Sequence, residues 1–80
     1  MVSLKQQINI TTWINVASNE DYILQNLGPS KIYIKASATI PTNIDGALEM
    51  DPKDVINSTL LSGKIWIRGI LGDSIVSYAK

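Results

Sequence analysis

The two side chains that most often carry proton transfer and nucleophilic attack near neutral pH are absent from this sequence, which has no His and no Cys. A hydroxyl nucleophile needs a base, so only Ser–Lys or Thr–Lys arrangements remain, and no spacing singles one out. Asp45, Glu49, Asp51 and Asp54 fall in one stretch. Acid–base chemistry would need a carboxylate pair with split proton affinities. A Ca²⁺ loop would need ligands at alternate positions and Gly at the sixth. The spacing misses that pattern, and the stretch reads as a solvated loop with a turn cap. The five glycines match no phosphate-cradling motif and sit at turn positions. Asn9-Ile10-Thr11 and Asn57-Ser58-Thr59 match the N-glycosylation acceptor. Met1 to Gln7 lacks the pattern of a secretory leader, so both read as chance matches. The expectation is a non-enzyme with no catalytic residue, no metal site and no cofactor.

The aromatic residues are more informative. Trp13, Tyr33 and Trp66 fall on the polar phase of alternating segments, and Lys31, Lys35, Lys64 and Arg68 share those phases. A Trp turned away from the core of a small domain needs a reason. Three readings stay open: cover by a loop or terminus, a subunit or partner interface, or a carbohydrate-stacking platform. Trp13, Tyr33, Trp66 and Arg68 are the candidate protein-contact residues.

The elements that must position them are strands. β-branched residues dominate, Phe is absent, and apolar and polar residues alternate over short segments. Gln7–Val16 reads as one strand, with Ile8, Ile10, Thr12, Ile14 and Val16 on one face and Asn9, Thr11, Trp13 and Asn15 on the other. Tyr22–Leu27 and Lys31–Ala36 read as strands joined through Gly28-Pro29-Ser30, and so short a turn predicts an antiparallel hairpin. A short strand is expected around Ala47–Met50. Asp51-Pro52-Lys53-Asp54 reads as a tight turn, with a strand after it. Lys64–Arg68 and Ser74–Ala79 are expected to form a second hairpin. Six to seven short strands at this spacing predict an all-β domain, a small antiparallel β-sandwich or barrel. The predicted core is Ile8, Ile10, Ile14, Val16, Ile23, Ile32, Ile34, Ile65, Ile67 and one of Ile75 or Val76.

The 80 residues suffice for one domain, 1–80, with residues 1–6 as a flexible N-terminal arm. A domain this small without disulfides or metal gains most from oligomerisation. Seven basic and seven acidic residues balance to zero net charge. That argues against nucleic acid and against an anionic membrane surface as partners. No apolar run approaches the roughly 18 residues that span a bilayer. Assembly in a cytoplasm is the expectation.

Tyr22-Ile23-Leu24-Gln25-Asn26-Leu27-Gly28-Pro29-Ser30-Lys31-Ile32-Tyr33-Ile34, followed by Ala38-Thr39-Ile40-Pro41-Thr42, resembles small bacteriophage and prophage virion proteins. A closing aromatic-plus-Arg segment, Ile65-Trp66-Ile67-Arg68-Gly69, and Ser74-Ile75-Val76-Ser77-Tyr78-Ala79 extend the likeness, which fits residues 43–61 least. The resemblance implies a virion structural protein: a capsid decoration, or a head- or tail-fibre-associated component. It implies a homo-oligomer, such as a trimer, that binds capsid or tail proteins, and it supplies no catalytic residues. The alternatives are a carbohydrate-binding module for host-surface glycan and a small phage regulatory protein that binds a host protein.

Overall fold

The structure, a computed structural model, describes residues 3–80 and, of Ser3, the backbone. Eight strands follow one another, and no helix occurs among the described residues. They are β1 Ser3–Ile8, β2 Ile14–Ser18, β3 Ile23–Pro29, β4 Ile32–Ala36, β5 Leu48–Met50, β6 Val55–Asn57, β7 Lys64–Gly69 and β8 Ser74–Ala79. They make two four-stranded antiparallel sheets, in the orders β1-β8-β3-β6 and β2-β7-β4-β5. Of the consecutive strands, only β4 and β5 share a ladder; every other connection crosses from one sheet to the other. Two sheets in these orders are the eight-stranded jelly roll, a sandwich of two Greek keys.

The expected all-β sandwich is therefore what the chain forms, with particular corrections. Gln7–Val16 is not one strand. It is the end of β1 and the start of β2, in different sheets, around a corner at residues 9–13. Asn9 makes the corner: its Oδ1 accepts the N–H of Thr11 (3.0 Å) and Thr12 (2.9 Å), an Asx turn. Ile10 sits on that corner and is exposed. Neither expected hairpin forms, because β3 and β4 lie in opposite sheets, as do β7 and β8. Gly-rich turns serve a hairpin and an inter-sheet corner equally well. Ser3 to Gln6, expected in a flexible arm, run antiparallel to β8.

Ile8, Val16, Leu24, Ile32, Ile34, Met50, Ile65, Ile67 and Val76 fill the space between the sheets and are fully buried, or nearly so. Val76, not Ile75, takes the inward place on β8, and Ile14 is partly buried. Ile23 faces out; Leu24 replaces it in the core. The cause is Asn26, which shares the inward face of β3 with Leu24 and is completely buried. A polar residue on the core face hides the phase of that strand.

Asn26 is kept there by a full set of partners. Its Nδ2 donates to the carbonyls of Ser30 (2.8 Å) and Met50 (3.1 Å). Its Oδ1 accepts the Gly28 N–H (3.0 Å) and the Ser74 hydroxyl (2.7 Å). Its backbone N–H donates to Asp54 O at 3.1 Å, and its carbonyl accepts the Lys53 N–H. One side chain thus ties β3, the corner after it, β5 and β8 together. Every polar atom of a buried amide is satisfied, as burial requires.

Tyr22 closes the other end. It is buried, its hydroxyl donates to the Leu61 carbonyl, and its own carbonyl accepts the Ser58 N–H at 3.1 Å. Burial pushes the phenol above its ordinary value of 10.0. The folded state then holds the proton more tightly than the unfolded chain, so this contribution is intact below about pH 10 and is lost as pH rises further. Alkaline titration followed by circular dichroism should show wild type losing stability there. Tyr22→Phe should flatten that dependence and cost about 1 kcal/mol at pH 7 for the lost hydrogen bond.

Candidate functional site

The candidate contact residues gather on the outer face of the β2-β7-β4-β5 sheet. Inward Ile65 and Ile67 leave Lys64, Trp66 and Arg68 pointing out from β7. Arg68 is paired with Tyr33 across the β4 ladder, and Trp66 with Lys35. Asn15 lies beside Trp66 on the other side, and Trp13 precedes β2 at the same level as Arg68. Glu49 on β5 continues the row beyond Tyr33.

Trp13, Arg68 and Tyr33 form one cluster. The Arg68 guanidinium carbon lies 5.0 Å from the Trp13 ring centre and 5.4 Å from that of Tyr33. The two rings are 6.5 Å apart, tilted by 34°. A guanidinium set against two neighbouring aromatic rings is attracted by both quadrupoles and loses little further freedom when it binds. Arg68 Nε is buried without a hydrogen-bond partner. Among the described residues no carboxylate lies within ion-pair distance of Arg68; the ion pairs are Lys31–Asp51 and Lys80–Glu20. The cluster therefore presents a pre-oriented cation whose charge is not neutralised within the chain.

Trp66 sits apart from that cluster. Lys64 Nζ lies 5.3 Å from its ring centre, and its indole N–H donates to the Ser37 carbonyl at 2.9 Å. The loop between β4 and β5 is drawn over this end of the face. Lys35 Nζ reaches Asn43 O (3.3 Å) and Oδ1 (3.2 Å), and Pro41 is buried. The structure thus joins Trp13, Tyr33 and Arg68 and leaves Trp66 to a local structural contact. Trp13 and Trp66 face outward from the sheet yet are only 8% and 9% exposed. The rings are covered within the chain, and they offer no flat aromatic platform.

The acidic stretch does not converge. Asp54 Oδ2 accepts the Asp51 N–H at 2.8 Å and closes the turn before β6, and Asp51 pairs with exposed Lys31 at 3.4 Å. The two glycosylation-like triplets have a common structural use. Like Asn9, Asn57 accepts backbone N–H groups two and three residues on, from Thr59 (3.0 Å) and Leu60 (3.2 Å).

Comparison with protein-family models, with curated proteins and with solved structures finds no match to this chain. The site must speak through its own geometry. Arg68→Ala should remove the guanidinium that lies against the Trp13 and Tyr33 rings. The expected results are a red shift of Trp fluorescence and a loss of about 1–2 kcal/mol in urea denaturation.

Proposed function

We propose that the chain is a non-enzymatic structural component of a bacteriophage virion, a capsid decoration or a head- or tail-fibre-associated module. It works by assembling with itself and binding capsid or tail proteins. The observation that carries the reading is the jelly-roll strand order, an architecture that capsid domains use repeatedly. The resemblance to virion proteins read in Tyr22–Ile34, Ala38–Thr42, Ile65–Gly69 and Ser74–Ala79 points the same way. Architecture alone does not dictate function, so the residues must supply the binding. Arg68 and Tyr33, the partly exposed members of the cluster with Trp13, support a partner contact, because aromatic residues and Arg are the anchors of protein interfaces. The un-neutralised Arg68 guanidinium suits a carboxylate on that partner.

A carbohydrate module has less support, since sugar stacking needs open rings and both Trp residues are covered. The test of the virion reading is mass spectrometry of purified particles, together with light scattering of the isolated protein. Detection in the particle at a fixed ratio to the capsid or tail subunit is the expected result. A chain that is monomeric at high concentration and missing from the particle would sink the proposal.

A further inference from the structure

We infer that a second copy of this chain docks on the outer face of the β1-β8-β3-β6 sheet, face to face about a two-fold axis. The inference rests on the self-assembly reading above and names its surface. The strand registers define that face. Ala79, Ile23 and Asn57 form one row, Lys5, Ser77, Gln25 and Val55 the next, and Gln7 and Ile75 a third. A bulge between Asn26 and Gly28 leaves Leu27 exposed beside them. Ile23 is 45% exposed, Leu27 42%, Val55 51% and Ile75 44%. Four half-open aliphatic side chains on one sheet face are an interaction surface rather than scattered exposure.

Charge and extent select the occupant. Lys5, on edge strand β1, is the one ionisable group in those rows, whereas the opposite outer face carries Lys35, Lys64, Arg68 and Glu49. A two-fold contact sets each surface against itself, so a charged face repels its copy and an uncharged one does not. The polar members, Gln7, Gln25, Asn57 and Ser77, each both donate and accept, so they can pair with their own kind. The two longer dimensions of the molecule, 28 and 25 Å, bound a face of about 700 Å², close to the ~800 Å² each partner gives to a standard interface. A copy of the same face covers that extent, whereas one inserted peptide covers a fraction of it. A shallow hollow lined by Ile23, Gln25, Val55 and Ser77 receives a protruding aliphatic side chain from the other copy.

The edges of the sheets are poorer docking sites. β5 and β6 have three residues each, β2 is bulged, and β1 carries Lys5. Stacking of faces is left as the route to a dimer.

Light scattering coupled to size exclusion tests this on the full chain. Wild type should run as a dimer, and Val55→Glu and Ile75→Glu should each halve the apparent mass. Both positions are half exposed, so near-UV circular dichroism and cooperative unfolding should match wild type. Leu71→Glu, at a loop position 91% exposed and outside those rows, should leave the dimer intact. An oligomer that survives both face variants overturns the surface while the assembly reading stands. A wild-type monomer at every soluble concentration also overturns it, and particle mass spectrometry then decides the virion reading separately.

Discussion

Asn26→Leu should cost about 3 kcal/mol or more in urea denaturation, a large share of what holds the fold together. A domain of 80 residues has only about 4–12 kcal/mol of stability to lose. Leucine has the branched outline of Asn, is bulkier, and provides none of its bonds. The Gly28 N–H and the Met50 carbonyl lose their side-chain partner in the dry interior, and Ser74 keeps only the Ser30 carbonyl at 3.0 Å. Each stranded buried group costs about 1–3 kcal/mol. Asn26→Asp separates shape from hydrogen-bond polarity. The carboxylate would aim an oxygen at two carbonyls that now receive N–H groups. Burial and those carbonyls favour the protonated acid, so its pKa in the folded state rises above the unfolded value near 4. Stability of this variant should therefore be best in acid and fall as pH increases past about 4. Equal stability of Asn26→Asp and wild type at pH 7 would show that the amide is not held as described.

Gly69→Ala should be the most damaging addition of a single methyl. A Cβ there would lie 2.6 Å from the Gly72 carbonyl oxygen and 3.0 Å from that of Asn9. Both obstacles are backbone, and the Gly69 N–H is itself bonded to Asn9 O at 2.7 Å. The two inter-sheet corners, after β1 and after β7, meet at this glycine and cannot step apart without breaking that bond. Overpacking of this kind costs about 3 kcal/mol. Gly46→Ala is the control. Its Cβ meets nothing within 4 Å, although its φ is +76°. It should lose only about 1 kcal/mol, the backbone term alone. Urea titrations of the two variants measure the difference directly.

The sequence made β4 and β7 legible because inward Ile32, Ile34, Ile65 and Ile67 alternate cleanly with long polar or aromatic side chains. The short strand at Leu48–Met50 and the turn before Val55 were legible for local reasons too. What failed was pairing. Gly28-Pro29-Ser30 and the Gly69–Asp73 segment look like hairpin turns, but the strands on either side bond to partners far along the chain. No local pattern encodes that choice. β3 was misread in phase because a satisfied buried amide mimics a solvent-facing one. The candidate site was half legible. Alternation placed Trp13, Tyr33 and Arg68 on one side of a sheet, but it could not foresee that the Arg68 guanidinium would lie against both rings. Nor could it foresee that the bare face would belong to the other sheet.

The alternation of consecutive strands between the sheets also governs how the chain acquires its structure. Ser3 faces Ala79 in the ladder of β1 with β8, and β8 in turn separates β1 from β3. One sheet therefore lacks an internal strand until Ala79 has left the ribosome. Loop closure over nearly the whole chain precedes most of the reward from pairing. Folding rates for such topologies fall in the millisecond-to-second range. During synthesis, β1 and β3 must wait with open edges for a strand not yet made, and this is when the nascent chain is most exposed to mispairing with its neighbours.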